Sequence, residues 1–514
     1  MSNTRQIGIN VITLWISFVL RAGIGILLVP FLIRELGRDV YGLAILLGVV
    51  VSFAEIADMG LRMALGRNLA EALTVKDTET YNRLASTAAA IWLSVGSLVA
   101  IACVVGAPAI VSFLDIPAEI RPDAIFLVGA FGGGSILVAF ILPIFTAVIS
   151  SNNRFDIVNN VQAVEGVLTG LLLFLVITLT DNGIYAWAAV MFGSKVLFLG
   201  IKALASWRLV PSFRISPGLV NGRSFRTLFS LSGYLFFLQL TNLLSMKADP
   251  FILSRFLGPA SLALYNPGLM LSKRVRPLVL VLANQLYPVT TKFHTSNDRE
   301  RMKVTLYVGT RITLCMGIGV FAILGVYNQD ICRVWLGETL GDEYRIAGYI
   351  LLGWTLIDLF QAAAGSQWPV MIGKSKVRFV VFTQFPLALL NIAASVYFVA
   401  YTEMGVVGVI IPTVLIGGFR RVLTTLYVNH LLQLHLREYL CQAYLRPFII
   451  FLILIPAAFF ITVYHPAESL FELAINAGVA AFLWTLLTFY FGITKSERRI
   501  LHQKILGLCY ARSG

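Results

Sequence analysis

Apolar runs long enough to cross a membrane recur from one end of the chain to the other, and they limit the possible folds more than any other feature. A helix needs about 20 mainly apolar residues to span the hydrocarbon core of a bilayer. Of the 514 residues, 58% are hydrophobic and only 13% are charged, whereas a soluble domain carries about 25% charged residues. These charges are too few to cover a globular surface. We therefore predict an all-α, polytopic membrane protein with no soluble domain of useful size.

The apolar runs predict about fourteen transmembrane helices. The expected spans are 9–33, 39–61, 85–113, 123–149, 156–180, 183–204, 228–249, 259–288, 304–326, 346–372, 377–401, 405–428, 446–464 and 468–492. The first run is too long for the core of a signal peptide, and no small-residue cleavage site follows it. We expect it to be a retained helix.

Positive charge orients the chain. Cytoplasmic loops of membrane proteins carry an excess of lysine and arginine. If the N-terminus is placed inside, the inner segments of this chain hold about 25 of these residues. The outer segments hold only Arg34, Arg38, Arg121, Arg255, Arg333 and Arg345. We predict both termini in the cytoplasm, an even number of helices and location in a bacterial inner membrane. The net charge of +14 then reflects loops that face anionic lipid, and we expect no nucleic-acid partner.

A repeated motif predicts an internal duplication. Pro30 and Phe31 precede Leu36-Gly37 at the end of the first helix, and Pro250 and Phe251 precede Leu257-Gly258 at the end of the seventh. The spacing is about 220 residues with one insertion, and a chance match is the alternative. Both copies enter from the cytoplasm, so the repeat is parallel.

The duplication predicts two pseudo-symmetric six-helix lobes plus two C-terminal helices. The expected divisions are an N-lobe at 1–204, a cytoplasmic linker at 205–227, a C-lobe at 228–428, two additional helices at 446–492 and a cytoplasmic tail at 493–514.

Three basic residues interrupt the eighth predicted helix. Lys273, Arg274 and Arg276 lie midway along it, directly before Pro277. An ionisable group at the bilayer centre costs at least ~2.5–3.5 kcal/mol, so such a group faces a partner or a wet cavity. One interpretation is that the helix stops at the proline and the charges mark its cytoplasmic end. The other is a kinked helix that presents a cationic patch to a water-accessible cavity.

The second interpretation predicts a binding site for a strongly anionic group. Guanidinium groups match the oxygens of phosphate and pyrophosphate. Arg21, near the middle of the first helix, and Lys247, at the outer end of the seventh, are further candidates for substrate binding. Snorkelling to the membrane surface is the alternative for Lys247.

Acidic residues within the spans are candidates for coupling to H⁺ or Na⁺. Glu55 and Asp58 lie on one face of the second helix, and Asp358 lies in the tenth. An ion pair with Arg62 or Arg67 is the alternative for Asp58, and interhelical hydrogen bonding is the alternative for Asp358.

Other charges within the spans have structural interpretations. Lys195 and Glu165, near the middle of neighbouring helices, are expected to pair with each other. Arg420, Arg421 and Arg311 are expected to lie near the inner ends of their helices and to extend toward the membrane surface.

Sequence motifs of enzymes are missing from the chain. The five cysteines and five histidines are scattered without metal-type spacing, and there is no acyl-transfer triad or phosphate-binding glycine loop. We therefore predict no catalytic residues, no metal and no cofactor, and we do not expect an enzyme. The alternative of a polysaccharide polymerase or glycosyltransferase predicts large loops with clustered catalytic side chains. The largest outer loop, at 328–345, has no such cluster.

Two short motifs carry a family resemblance. Residues 34–42 read Arg-Glu-Leu-Gly-Arg-Asp-Val-Tyr-Gly, and residues 57–61 read Ala-Asp-Met-Gly-Leu. This pattern resembles the opening of bacterial polysaccharide transporters. These are the lipid-linked oligosaccharide flippases of the multidrug/oligosaccharidyl-lipid/polysaccharide exporter superfamily.

The resemblance implies a cationic central cavity between two lobes and alternating access. The implied substrate is an undecaprenyl-pyrophosphate-linked oligosaccharide for surface polysaccharide such as O-antigen or exopolysaccharide. It also implies coupling to H⁺ or Na⁺. Membrane lipids and polysaccharide polymerase or assembly proteins are expected partners, and a monomer is the default. The alternatives among transporters are a peptidoglycan-precursor flippase and a multidrug exporter, although basic residues would repel the cationic substrates usual for the latter.

Overall fold

The computed structural model describes residues 3–53, 61–114, 116–180, 183–229, 232–296, 298–374, 378–494 and 497–498. Every regular element in these ranges is helical, which confirms the predicted all-α fold.

The described residues form the following α-helices in chain order. The first ten are α1 (Asn3–Leu36), α2 (Arg38–Phe53), α3 (Leu61–Thr74), α4 (Thr78–Phe113), α5 (Arg121–Phe126), α6 (Gly133–Ser151), α7 (Phe155–Leu179), α8 (Gly183–Leu209), α9 (Gly222–Phe229) and α10 (Ser232–Leu257). The others are α11 (Ser261–Thr295), α12 (Arg299–Val320), α13 (Asn328–Leu340), α14 (Tyr344–Ala363), α15 (Gln367–Gly373), α16 (Arg378–Tyr401), α17 (Ile410–Leu432), α18 (Leu436–Tyr439), α19 (Leu445–Tyr464) and α20 (Leu470–Leu487).

Eleven helical segments within the described ranges are long and apolar enough to cross a membrane. They are Gly8–Leu36, Thr78–Phe113, Arg121–Ser151, Phe155–Leu179, Gly183–Leu209, Arg299–Gly325, Asn328–Ala363, Val381–Tyr401, Gly405–Leu432, Leu436–Tyr464 and Leu470–Gly492. The chain is therefore a multi-pass membrane protein. The count of fourteen stays a prediction.

The chain divides into two compact units. Unit 1 comprises residues 1–263 and 388–405, and unit 2 comprises residues 264–387 and 406–514. The predicted lobe boundaries stay a prediction.

Close helix contacts in each unit depend on glycine. In unit 1, α7 presents Gly166 to α1, and a Cβ atom added to Gly166 would lie 2.6 Å from Cγ of Arg21. In unit 2, α11 presents Gly268 to α14, and a Cβ there would lie 2.5 Å from the carbonyl oxygen of Ala347. Glycine brings membrane helices together where packing, rather than the hydrophobic effect, must hold them.

Several helix boundaries differ from the prediction, and two of the differences have a clear physical cause. Helix α4 begins at Thr78, ahead of the expected start at 85, because Asp77 caps it: its carboxylate accepts a 2.9 Å hydrogen bond from the Thr80 N–H. Hydrogen bonds from the side chain and backbone of Thr80 lower the pKa of Asp77 below its usual value. The expected span 346–372 is interrupted between α14 and α15. There Ser366 lies 2.6 Å from Thr310 between the hydroxyl oxygens, and Gln367 donates to Thr425 at 2.8 Å.

The linker after α8 is held against α4 by side chains that recognise its backbone. Asn82 donates to the carbonyl oxygen of Ser212 at 2.8 Å and accepts from the N–H of Arg214 at 3.0 Å. Ser86 accepts from the N–H of Ser216 at 3.1 Å. Phe213 is buried and packs edge-on against Tyr81. This part of the linker is therefore an ordered element of unit 1.

We expect Asn82→Ala to release the linker. The substitution removes two hydrogen bonds and leaves backbone groups of the linker without partners, which costs about 1–3 kcal/mol for a buried group. Trypsin should then cleave the purified protein faster at Arg214. The control is Asn68→Ala, since Asn68 donates only to Ala64 within its own helix. Equal cleavage rates in the two variants would contradict this role for Asn82.

Candidate functional site

Helix α11 continues through Pro277 from Ser261 to Thr295. The interpretation in which the helix stops at the proline is therefore wrong. Lys273, Arg274 and Arg276 lie within this continuous helix, and their side chains are half-buried. Their charges must be stabilised by groups on neighbouring helices.

Asp358 of α14 is the acidic group that meets them. Its side chain is 4% exposed. Ser272 donates a 2.6 Å hydrogen bond to Oδ2, and Nε of Arg276 lies 3.5 Å from Oδ1. Lys273 places its Nζ 5.6 Å from the centre of the Trp354 ring, a cation–π contact. Ser272 is therefore the partner in the interhelical hydrogen bond that was the alternative role expected for Asp358.

Helix α17 adds two arginines to the same region. Arg421 donates to Oε1 of Gln361 at 2.5 Å. It is close enough to Asp358, Arg420 and Arg276 to interact with them electrostatically. Arg421 therefore points into unit 2, and its expected extension toward the membrane surface is wrong.

We call Lys273, Arg274, Arg276, Arg420 and Arg421 the basic cluster. Lys273, Arg276 and Arg421 all lie within electrostatic range of the carboxylate of Asp358, so cations outnumber this acid. Four of the five are arginines, whose planar groups bind phosphate oxygens in a fixed geometry. The arrangement is suited to an anionic ligand with several oxygens.

Unit 1 also places basic residues around an acid, Glu165. Lys202 of α8 is 3% exposed, and its Nζ lies 3.8 Å from Oε2 of Glu165. Arg21 and Arg62 are close enough to Lys202 to interact with it electrostatically. The expected partner of Glu165 is wrong, because Lys195 instead lies over the ring of Phe131 at 5.7 Å. Lys195 and Lys202 are about two helical turns apart, so sequence spacing could not distinguish them.

The other candidate residues have different surroundings. Lys247 of α10 is half-buried in unit 1, and the neighbouring Asp249 is buried. Glu55 and Asp58 lie outside the described residues. Arg311 is buried and forms an ion pair with Glu497, so its expected extension toward the membrane surface is wrong, while its expected depth near the inner end of the helix stays a prediction.

We expect Gly166→Ala to destabilise unit 1 by about 1–3 kcal/mol, as overpacking does. The added methyl group would occupy the space in which the Arg21 side chain crosses α7. The midpoint of thermal unfolding in detergent measures the effect. Gly193→Ala in α8 is the matched control, since a Cβ there meets nothing within 4 Å. If the two variants unfold at the same temperature, the close contact between α1 and α7 is incorrect.

A family model described as "Polysaccharide biosynthesis protein" matches residues 31–342, more than half of the chain. The match includes α2, α4, α7 and all of α11.

Two relatives have similar sequences over most of the chain. An uncharacterized membrane protein of Bacillus subtilis, EpsK, is 22% identical over 353 residues, which are 67% of this chain and 69% of EpsK. A candidate O-antigen transporter of Shigella flexneri is 21% identical over 364 residues, which are 68% of this chain and 81% of the relative.

Two solved structures share the fold. The lipid II flippase MurJ in an inward closed conformation has a TM-score of 0.68 at 15% identity and covers 94% of this chain and 98% of its own. An inward-facing multidrug resistance transporter of the MATE family has a TM-score of 0.60 at 15% identity, covering 81% and 94%. At 15% sequence identity, the similarity to these two structures is evidence for the fold and not for the function.

Proposed function

The chain belongs to the polysaccharide biosynthesis protein family, and from this premise we propose that it is a lipid-linked oligosaccharide flippase. The substrate would be an oligosaccharide on undecaprenyl pyrophosphate, moved by alternating access from the cytoplasmic to the periplasmic leaflet of a bacterial inner membrane. Both termini would lie in the cytoplasm. The product would supply a surface polysaccharide such as O-antigen or exopolysaccharide.

The basic cluster of unit 2 is the observation that carries this proposal. A pyrophosphate group is the part of the substrate that every glycan of this class shares, and it is multiply charged. Arginines within the spanning part of a membrane protein are costly unless an anion or water compensates them. A resident carboxylate, Asp358, lies 3.5 Å from Arg276. A bound pyrophosphate would add negative charge beside the same arginine and its basic neighbours.

The proposed substrate-binding residues are Arg21, Lys247, Lys273, Arg274 and Arg276. We add Arg421, because its hydrogen bond to Gln361 holds it near Asp358. The lipid tail would stay in the bilayer at a side portal, since its transfer into water would expose a long apolar chain. The glycan would occupy a water-filled cavity.

Energy coupling and partners belong to the same proposal. Uptake of H⁺ or Na⁺ at Glu55, Asp58 or Asp358 would bias the protein toward one facing state, since a ligand shifts an equilibrium only by its differential affinity. The chain would act as a monomer and pass its product to a polysaccharide polymerase.

The fold leaves a multidrug exporter as the competing transporter, because a MATE structure shares it. The sign of the charge argues against this reading: the basic cluster would repel cationic drugs. A polymerase or glycosyltransferase on the same lipid carrier is the competing enzyme, and complementation separates these functions.

Complementation tests the function directly. The chain is expressed in a bacterium that lacks its oligosaccharide-lipid flippase, and surface polysaccharide is measured together with the intermediate in the cytoplasmic leaflet. We expect surface polymer to return and the intermediate to clear. In a strain from which this chain alone is deleted, unpolymerised units on the outer face would identify a polymerase. Failure in the protein's own deletion host, with full expression, would reject the flippase.

Replacement of Lys273, Arg274 and Arg276 together by alanine should abolish transport while the protein is still expressed. The reason is that three of the cations proposed to hold the pyrophosphate are lost. Surface polysaccharide and the amount of protein in the membrane are the measurements.

In the control variant, alanine replaces Arg299 and Arg301, which are exposed at the start of α12. Exposed ion pairs contribute only about 0–1 kcal/mol, so this variant should transport normally. Normal transport in the triple variant would refute the site.

A further inference from the structure

We propose that Asp358 is an internal counter-ion of the basic cluster, which competes with the substrate's pyrophosphate for the same cations. In this role Asp358 limits how tightly the substrate is held, so that the product can leave. The inference rests on the proposed function and assigns a positioning role to a residue within the same site.

The contacts of Asp358 are asymmetric. Its Oδ2 atom receives the 2.6 Å hydrogen bond from Ser272. Its Oδ1 atom is buried and accepts no hydrogen bond from the described residues, although Arg276 lies 3.5 Å away. An arginine committed to a carboxylate usually donates hydrogen bonds at about 2.7–2.9 Å. The carboxylate is thus anchored through Ser272 and only loosely held by Arg276.

The charges around this carboxylate favour such competition. Lys273, Arg276 and Arg421 all act electrostatically on Asp358. In the absence of substrate a buried group of cations needs an anion, since an uncompensated buried charge is strongly destabilising. One carboxylate supplies one negative charge. A pyrophosphate supplies more charge and more oxygen acceptors, so it competes effectively for the same arginines.

Once the pyrophosphate is bound, Asp358 acts against it. Ser272 keeps the carboxylate in place, so two anions then lie close together and repel each other in a region of low dielectric. The repulsion weakens binding. A transporter needs this balance, because a site that binds too tightly cannot release its cargo.

Unit 1 supports the idea independently. There Glu165 is the resident acid beside Lys202, with Arg21 and Arg62 nearby. In both units a described acid, Glu165 or Asp358, therefore lies beside several cations.

The test is binding of undecaprenyl pyrophosphate to the full chain in detergent micelles, measured by calorimetry. Asp358→Asn keeps the shape of the side chain and an oxygen that can accept from Ser272, and it removes the charge. We expect its Kd to fall about tenfold or more, because one repulsive unit charge is lost. Clearance of the cytoplasmic-leaflet intermediate in cells should slow at the same time. Tighter binding with slower transport is a combination that a merely structural role does not produce.

Asp330→Asn is the matched control. Asp330 is also a buried aspartate of unit 2 paired with an arginine, Arg333 at 3.0 Å, and it lies on α13. Its substitution should leave the Kd unchanged. A double-mutant cycle of Asp358→Asn with Arg276→Gln should show that the gain in affinity shrinks when Arg276 is absent.

The outcomes separate the two claims. If the wild-type chain binds the lipid pyrophosphate and Asp358→Asn binds it equally or more weakly while folded, the counter-ion role is overturned and the flippase stands. If the wild-type chain does not bind it, the proposed substrate fails, and the counter-ion role fails with it. If Asp358→Asn does not fold, Asp358→Ala carries the same test, because it removes the same charge.

Discussion

Burial of positive charge within a membrane protein is the constraint on which the candidate site depends. A cation that leaves water must gain an anion, an aromatic face or hydrogen-bond acceptors. Unit 2 supplies all three: Asp358 for Arg276, the ring of Trp354 for Lys273 and the amide oxygen of Gln361 for Arg421. Each compensating group lies on α14. This helix therefore acts as the common neutralising surface for basic residues from two different helices.

The site forms because backbones approach closely at small residues. Gly268 lets α11 lie against α14 near Ala347. Gly353 of α14 does the same for Ile410 at the start of α17. Bulkier residues at these positions would separate the helices and leave arginines without partners. Gly268 and Gly353 are therefore needed for the basic residues to reach their partners on α14.

The helical class and the recurrence of membrane spans could be predicted from composition and apolar periodicity, whereas the binding role of the α11 basic residues stays a prediction. The pairing of charged side chains could not be predicted. The choice of Lys202 over Lys195 depends on the rotation of α8, which apolar residues on all sides do not reveal. The position of Arg421 along its own helix suggests a side chain that extends to the membrane surface. Its partner Gln361 lies on a different helix, and the sequence does not show that the two helices are neighbours. The break after Ala363 is stabilised by hydroxyl groups distant in sequence.

The way the linker is held has a consequence for how its sequence can change. Asn82 and Ser86 bind only main-chain atoms of Ser212, Arg214 and Ser216, so the identities of those three residues are nearly irrelevant to the attachment. Substitutions can accumulate there at little cost, with buried Phe213 as the exception. The linker can therefore change in composition, and acquire or lose basic residues, while its path along α4 stays the same.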